Sequence, residues 1–476
     1  MALQYIVPRV AIDESDVGPR PTPGISLATI GVVGTFTKGP VNKPTIVGGI
    51  DQLINRFGPL ATKYTGPLSM TGALNQGATD YVVTRIVGNG AAKASLVLKD
   101  NAATPKDSII AEASSEGEWA NGDTSDIGIK VAVATGTAAD TVKLIVIIGS
   151  KSWTYDNITL DNLDTIKHED VTFRKAEGAT ALPAPISATP LTGGQDGTTS
   201  DSDYIGSIDT NGNRTGLKAL EPEHCNIVIA AQQTSAAVQA ALLTHFANAD
   251  LDDGLRIGVL NAKKGEAPQA VIDSASSLDS MRGIYAYPWV EPMEIAGTYV
   301  APDGYIAGRL ATLPAHHSPS NKQIAGILST ERQLTMAELQ ALTTGRIMPI
   351  TPVRGRGFRI RNGVTLSSDP AWNQVNIRRI FDKIEMQVYE STQWAVSEPI
   401  LPSLWDAIAN QIDMMLSIMK RDGEIFDYKP TICNETNNPP EVVQARRLNT
   451  IIRVRPVYAA DFIDHRIQRL LGNEAG

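Results

Sequence analysis

The stretch that decides the fold is residues 226–290, NIVIAAQQTSAAVQAALLTHFANADLDDGLRIGVLNAKKGEAPQAVIDSASSLDSMRGIYAYPWV. Short apolar runs alternate there with longer segments in which apolar residues recur every three or four positions. The pattern predicts, in order, strand Asn226–Ala231, helix Ser235–Ala249, strand Leu255–Leu260, helix Pro268–Met281 and strand Ile284–Val290. Because parallel strands need long crossover connections, this order predicts a partly parallel sheet covered by helices.

The turn after the first predicted strand indicates whether this sheet binds a nucleotide. Residues 231–235 are Ala-Gln-Gln-Thr-Ser, without the glycines that let a backbone approach a pyrophosphate. No GxxxxGK[ST] loop occurs anywhere in the sequence. We therefore predict no nucleotide and no other cofactor.

Toward the N-terminus, residues 25–90 have the pattern of a second part of the same α/β core. A strand is predicted at Ala28–Phe36, a helix at Ile50–Phe57 and a β-branched strand at Tyr81–Val87. Residues 1–24 contain four prolines and predict no helix. They form either a frayed terminus or an extended arm that pairs with a neighbouring subunit.

Residues 91–192 differ in composition, since Ala, Ser, Thr, Gly and Asp dominate them. Strand-like runs at Ile127–Val133, Leu144–Ile148 and Ser152–Tyr155 predict an inserted, mostly β domain. The turn-rich segment Leu191–Gly197 (LTGGQDG) is predicted to be the hinge through which the chain leaves it.

The C-terminal region, residues 371–476, carries three predicted elements. Ser403 is predicted to cap a helix that has Leu404, Ile408, Ile412, Met415 and Met419 on one face. Leu448–Pro456 alternates as a strand, and Asp461–Leu471 is predicted as a short amphipathic helix. The apolar stripe of the first helix indicates packing in a core, and contact with another protein is the alternative.

Net charge, the lack of targeting patterns and cysteine usage limit the classes of function that the sequence allows. The formal net charge is −9, which disfavours a dedicated nucleic-acid binder. The sequence predicts neither a secretory signal nor a membrane-spanning helix. Cys225 and Cys433 are 208 residues apart, so buried reduced thiols, and hence a reducing cytoplasm, are favoured over one disulfide.

Catalytic and metal motifs are not found in the sequence. The six histidines include no HExxH pair, and neither a GxSxG elbow nor a nucleophilic cysteine context occurs. We predict no catalytic residue and no metal site.

One charge feature stands out between residues 346 and 379, where seven arginines occur with a single acid, Asp369. Arg354, Arg356, Arg359 and Arg361 nearly alternate, and on a strand 354 and 356 would share a face. Nucleic-acid binding is one interpretation, although only Phe358 supplies an interleaved aromatic ring. An ionic contact with an acidic surface, in the same protein or a neighbour, is the favoured one.

Five motifs, taken in order, resemble the contractile phage tail sheath family. They are Gly31–Pro44 with Arg56-Phe57-Gly58, the LTGGQDG segment with Asp203–Gly206, Ala301–Gly304 through Gly308-Arg309, Gly357–Ile380, and Cys433–Glu441 before the last strand. The fourth, with GFRIR, TLSSDP, Trp372 and VNIRRI, is similar to the family over more than twenty positions. Departures are Asn75-Gln-Gly77 in place of an NGG and a missing tryptophan near residue 304.

The resemblance implies a mixed α/β and α+β multidomain structural protein and no enzyme. It divides the chain into an extended N-terminal arm (1–24), the first part of the α/β core (25–90), a surface-exposed β insert (91–192), an α/β domain (193–370) and a tube-proximal C-terminal domain (371–476) with an interlocking strand. The implied assembly is a virion tail: hexameric rings stacked helically around an inner tail tube, with baseplate and tail terminator proteins as further partners. The subunits would be made in the host bacterial cytoplasm, contact no nucleic acid directly and insert stably in no membrane.

Two sets of residues are predicted to carry the assembly. The arm contacts are assigned to Ile6, Val7, Val10 and Ile12 of the N-terminal arm and to Ile452 and Val454 of the C-terminal strand. The contacts with the tube or a neighbour are assigned to Arg354, Arg356, Arg359, Arg361, Arg378 and Arg379. A soluble α/β enzyme with a β accessory domain is the alternative, and it requires a pocket with perturbed acids or histidines.

Overall fold

A computed structural model describes residues 25–123, 125–252 and 254–469. The described chain forms two compact units, one of residues 26–379 with the end segment 459–469, the other of residues 380–458. The predicted arm residues Ile6, Val7, Val10 and Ile12 lie outside the described residues. No helix in the described ranges is both long enough and apolar enough to cross a bilayer.

The strands of the first unit are β1 (Ile30–Gly34), β2 (Thr45–Val47), β3 (Tyr81–Arg85), β4 (Ser95–Lys99), β5 (Asp107–Ala113), β6 (Ile129–Thr135), β7 (Val142–Ile148), β8 (Lys151–Ile158), β9 (Val171–Lys175), β10 (Ile186–Pro190), β11 (Ile227–Ala230), β12 (Ile257–Asn261), β13 (Gly283–Tyr287), β14 (Val290–Pro292), β15 (Gln323–Ile324), β16 (Ile327–Thr330), β17 (Ile347–Val353) and β18 (Gly357–Ile360). Its helices are α1 (Ile50–Phe57), α2 (Thr65–Asn75), α3 (Asp201–Ile205), α4 (Gly216–Ala219), α5 (Ala236–Ala247), α6 (Pro268–Ser276), α7 (Asp303–Ala311) and α8 (Met336–Thr344). Helix α9 (Val375–Thr392) begins in this unit and ends in the second.

A nine-stranded sheet of order β15-β18-β17-β13-β12-β11-β1-β3-β2 organises this unit. The six strands from β17 to β3 are parallel, and antiparallel strands close both edges. Strand β11 shows why both faces are covered, since Ile227 and Ile229 join one buried apolar cluster and Val228 and Ala230 join the other. The predicted α/β class is confirmed, and residues 25–90 and 193–370 contribute to one sheet.

The residues between β3 and α3 form two smaller sheets, β10-β6-β7-β8 and β4-β5-β9, with an apolar core of their own. The chain enters and leaves this insert side by side, through bridges Asn89–Thr198, Ala92–Gln195 and Ser95–Thr192. We call these two paired segments, residues 88–95 and 192–198, the neck. The predicted hinge at Leu191–Gly197 is thus part of a hydrogen-bonded ladder.

The second unit contains the rest of α9, α10 (Pro402–Arg421), β19 (Ile425–Ile432), α11 (Pro440–Gln444) and β20 (Ile451–Pro456). Strands β19 and β20 pair antiparallel as a two-stranded sheet. The apolar side of α10, through Ile412 and Leu416, packs in a buried cluster with Ile384 of α9 and Ile425 of β19. The stripe predicted on this helix is therefore a core face of its own unit.

The structure overturns several local predictions. Leu401 is the N-cap of α10 and Pro402 its first residue, so Ser403 lies inside the first turn, because the fixed φ of proline suits that position. Residues 461–469 of the predicted helix Asp461–Leu471 are not helical, and all of them are exposed. A short amphipathic helix is marginal without an apolar surface to pack on. Helix α6 ends at Ser276, five residues before the predicted end.

Candidate functional site

The carboxyl ends of β1 and β11 form the place where a doubly wound sheet ordinarily binds a ligand. From β1 the chain continues to β3 on one side of the sheet, whereas from β11 it continues to β12 on the other side. Such a switch point opens a crevice at the strand ends. Thr35 and Gln232 lie at this crevice, just beyond the two strands.

On the β11 side of this crevice lies the side chain of Asp303, the first residue of α7, which is completely buried. Its Oδ1 accepts hydrogen bonds from Ser69 Oγ at 2.7 Å and the Gly304 amide at 2.6 Å. Its Oδ2 accepts hydrogen bonds from the Gln232 amide and from Asn261 Nδ2, both at 2.9 Å. One carboxylate thus joins α2, α7 and the ends of β11 and β12.

Burial raises the pKa of Asp303, and the four donors act in the opposite direction. Donors on both oxygens are what a carboxylate needs in a site without water. The arrangement is a closed polar network inside the subunit, with its acceptor capacity used by the chain's own groups.

Two further features bear on the alternative of a soluble enzyme. Ser235 caps α5, because its Oγ accepts a hydrogen bond from the Ala237 amide at 3.3 Å. The start of this helix is therefore capped by the chain's own side chain. His245 is buried with its Nε2 2.6 Å from Arg256 Nη1, and burial, with that cation, lowers its pKa to about 3. Within the described ranges no group of three or more His, Cys, Asp and Glu side chains has a metal-binding arrangement.

Three glycines set the approach of α2 and α7 beside this network. A Cβ on Gly304 would lie 1.7 Å from Ser69 O, and one on Gly308 would lie 2.5 Å from Ala73 Cα. A Cβ on Gly72 would lie 2.6 Å from Tyr305 Cδ2. The spacing of the third sequence motif, Gly304 and Gly308, is therefore a helix-packing requirement.

We expect Gly308→Ala to lower the free energy of unfolding by about 2 kcal/mol, because overpacking against a backbone atom outweighs a gain of about 1 kcal/mol in helix propensity. Chemical denaturation would measure it. Ser274→Ala, at an exposed position of α6, is the matched control and should leave stability within about 0.5 kcal/mol. If the denaturation midpoint of Gly308→Ala were unchanged, α2 and α7 would be able to move apart without loss of stability.

A second buried charge, Arg85, lies where the insert meets the core. Its Nε, Nη1 and Nη2 donate to the carbonyls of Phe36 at 3.1 Å, Gly39 at 2.9 Å and Glu116 at 2.7 Å. Burial lowers its pKa to about 10, and the charges of Glu116 and Asp196 act in the opposite direction. Because Glu116 belongs to the insert, the guanidinium joins the insert to the end of β3.

Asp196 of the neck completes this junction. It accepts hydrogen bonds from Tyr64 Oη at 2.9 Å and the Glu118 amide at 3.0 Å, and Lys63 Nζ lies 2.7 Å away. Burial acts to raise the pKa of Asp196, but these donors lower it. A salt bridge of 2.7 Å from Lys38 to Asp170 is a further tie between core and insert.

The predicted arginine set divides into buried and exposed members. Arg378 stacks on Trp372 at 4.8 Å, and Arg379 donates to the carbonyls of Leu313 and Leu27 at 3.2 Å each. Both are at most 3% exposed, so their assignment to a tube or neighbour contact is corrected: they stabilise their own subunit. Arg378 and Arg379 lie beside apolar residues at the start of a helix. The sequence alone does not distinguish such buried arginines from arginines on the surface.

Arg354 and Arg356 are exposed in the turn that joins β17 to β18, where Gly355 has φ +73°. They therefore do not share a strand face, because the strand pairing ends at Val353 and Gly357. Arg359 lies on β18 and donates to the Asn321 carbonyl, and Arg361 is exposed just beyond it.

The two strand residues predicted as arm contacts, Ile452 and Val454, are half-buried against the apolar cluster of their own unit. Beyond β20, residues 460–469 are exposed and carry Phe462 (91% exposed), Ile463 (69%) and Ile467 (94%). These apolar side chains were assigned to a helix by their spacing, whereas the structure places them in a segment that is neither helix nor strand.

Asp303 and Arg85 are the residues that the sequence reasoning did not identify as important. The sequence context could have identified Arg85, because a charged residue in the apolar run Tyr81–Val87 needs hydrogen-bond partners when the strand is buried. Asp303 lies in the motif Ala301–Gly304, but its partners come from three distant segments of the chain.

Comparison with known proteins places these features in a family. The model of the phage tail sheath protein central domain matches residues 198–366, and that of the phage tail sheath C-terminal domain matches residues 367–469. Together the two matches run without a gap over more than half of the chain.

Individual relatives agree with this assignment. The tail sheath protein of Burkholderia phage BcepMu is 24% identical over 471 residues, with 91% of each chain covered. A putative prophage major tail sheath protein of Pseudomonas aeruginosa strain UCBPP-PA14 is 25% identical over 52% of this chain and 67% of its own.

Solved structures share the fold at lower identity. A sheath tail protein from Listeria innocua superposes with a TM-score of 0.68 at 15% identity, covering 92% of this chain and 94% of its own. The helical sheath of the anti-feeding prophage in its contracted state matches with a TM-score of 0.57 at 14% identity, covering 98% and 99%. The chain therefore belongs to the phage tail sheath family, the structural sheath proteins of contractile, phage-like tails.

Proposed function

We propose that this chain polymerises as a helical stack of hexameric rings around an inner tail tube and contracts to drive the tube through the envelope of a target cell. Baseplate and tail terminator proteins would bound the stack at its two ends. Assembly would take place in the host bacterial cytoplasm, without direct nucleic-acid contact and without stable insertion in a membrane. Its net charge of −9 and sheath family membership support this proposal.

The observation that carries the proposal is the incomplete β structure of the C-terminal region. Strands β19 and β20 form a sheet of only two strands, and within residues 25–469 no other described strand pairs with either. A two-stranded sheet is marginal alone, and unpaired edges accept further strands. An extended segment from another subunit would complete it through backbone hydrogen bonds.

The end segment 459–469 supplies a matching feature. An isolated exposed apolar side chain is ordinary, but three such residues in a segment without regular secondary structure are typical of a chain that is covered in an assembly. We propose that this segment, together with residues 1–24, links neighbouring subunits. Such links would let subunits change their packing during contraction without separating.

The same features bear on where the energy for contraction is stored. Because the turn after β11 lacks phosphate-binding glycines and is bonded to the chain's own Asp303, contraction would draw on subunit interfaces and use no bound nucleotide. An extended lattice would then be a kinetically trapped state, and its rearrangement would be limited by a barrier. The insert, residues 91–192, would lie on the outer surface, away from the tube.

Negative-stain electron microscopy of the concentrated wild-type chain tests the proposal. We expect hollow cylinders of uniform diameter with helical striations, alone or on addition of the tube protein. Discrete monomers under both conditions would contradict a sheath function and favour the enzyme alternative.

The apolar end segment has its own prediction. We expect Phe462→Ser, Ile463→Ser and Ile467→Ser, combined in one variant, to abolish cylinder formation. The unfolding temperature should not change, because exposed substitutions cost within about 0.5 kcal/mol. Asp461→Ser, Asp464→Ser and Gln468→Ser, also combined, change the same exposed segment and should assemble normally. Wild-type cylinders from the apolar variant would show that the segment is dispensable.

A further inference from the structure

Charges of opposite sign are separated along this chain. Residues 339–368 contain five arginines and no acid, and residues 384–419 contain five acids and no Lys, Arg or His. The first stretch belongs to the unit of residues 26–379 and the second to the unit of residues 380–458. Each copy of the chain therefore carries both halves of a possible ionic contact.

The basic half is the end of the β17–β18 hairpin. Arg354 and Arg356 in its turn and Arg361 after β18 are exposed, and their guanidinium groups contact no acid within the described ranges. We call these three residues the basic hairpin. Some other cations have acidic partners within the chain, for example Lys38 with Asp170 and Lys383 with Glu424, both at 2.7 Å.

The acidic half lies on α9, on α10 and on their connection. Glu390, Glu398 and Asp406 are exposed there and have no ion pair in the described chain, whereas Asp413 accepts the Thr431 amide at 2.8 Å. We call these three residues the acidic surface. Of the three, Glu398 lines an apolar groove of about 730 Å³, whose other charged lining residue is Arg446.

We propose that the basic hairpin of one subunit docks onto the acidic surface of the next subunit. The inference rests on the proposed polymerisation and names the surfaces that form one of its contacts. Two different patches that meet between identical copies make a heterologous contact, which repeats from copy to copy and generates a ring or a helix. A second copy is the favoured partner because the chain itself supplies the complementary charge.

A single exposed ion pair adds little, but three cations facing three carboxylates set the register and speed of association. The contact would leave the apolar groove between the same two subunits, so that ionic and apolar contributions act together. Because exposed charges are screened, the contact should weaken as salt rises above about 0.15 M.

Paired charge reversal tests the proposal. Arg354→Glu with Arg356→Glu, and separately Glu398→Arg with Asp406→Arg, should each raise the concentration needed for cylinder formation at least about tenfold. The chain that carries all four substitutions should recover most of this loss, because the contact is restored with its signs exchanged. Sedimentation of the polymer and electron microscopy give the readout.

The controls separate this inference from the proposed function. Lys99→Glu with Lys106→Glu changes the net charge by the same amount as the arginine reversal, at exposed positions of the insert, and should assemble as wild type. Wild-type cylinders together with normal assembly of both reversals would overturn the docking contact and leave the sheath function intact. If the four-substitution chain did not recover cylinder formation, the pairing of these two surfaces would be overturned. If the reversals blocked only capture of the tube, the basic hairpin would be assigned to the tube. Absence of cylinders from the wild type would contradict the function itself.

Discussion

Replacing Asp303 with alanine is expected to lower the free energy of unfolding of the unit of residues 26–379 by at least about 4 kcal/mol. The reason is the number of buried groups that lose their partner at once. Ser69 Oγ, Asn261 Nδ2 and the amides of Gln232 and Gly304 all donate to this carboxylate. Each buried donor left without an acceptor costs about 1–3 kcal/mol.

Urea denaturation followed by tryptophan fluorescence would measure this loss. Asp51→Ala is the matched control, since Asp51 lies in the first turn of α1, is exposed, and should cost less than about 1 kcal/mol. Asp303→Asn should fall between the two, because an amide can accept on one side only. If Asp303→Ala were as stable as the control, water would have to replace the carboxylate in the crevice.

The second large effect is expected for Arg85→Met, which should cost about 3–5 kcal/mol and loosen the neck. Methionine keeps the apolar stem, but the carbonyls of Phe36, Gly39 and Glu116 lose their donors. Arg85→Lys should rescue little of the loss, because an ammonium group cannot serve the three carbonyls as the planar guanidinium does.

Hydrogen exchange gives a readout that global stability does not. In Arg85→Met the amides of Asn89, Ala92 and Gln195, which bridge the neck, should exchange faster than those of the sheet strands. Arg174→Met, at an exposed position of β9, is the control and should leave both stability and exchange unchanged. Equal protection of the neck in both variants would show that Arg85 does not hold the insert.

Elements with a strong period were predictable from the sequence. Helix Ile50–Phe57 has the predicted bounds, and the strands at residues 227–230, 257–261 and 283–287 follow from short apolar runs. The β character of residues 91–192 was equally accessible, because short apolar runs form β6 and β7.

What the sequence could not supply depends on contacts between distant segments. The partners of Asp303 lie up to 234 positions away, so no local pattern indicates this hydrogen-bonded network. The helix prediction at Asp461–Leu471 was wrong for the converse reason. Its apolar residues do recur with a helical period, but the segment has no apolar surface to pack on. Arg378 and Arg379 were misassigned because burial, which separates them from Arg354 and Arg356, is a property of the fold.

The neck has a practical consequence. Since the chain enters and leaves the insert through adjacent, hydrogen-bonded segments, a foreign domain with neighbouring termini could be grafted between residues 95 and 192 without changing the connectivity of the nine-stranded sheet. The guanidinium of Arg85 sets one design rule: the graft must offer it a carbonyl where Glu116 now stands. A graft that obeys this rule would turn a polymer of this subunit into a display scaffold that carries one guest domain per copy.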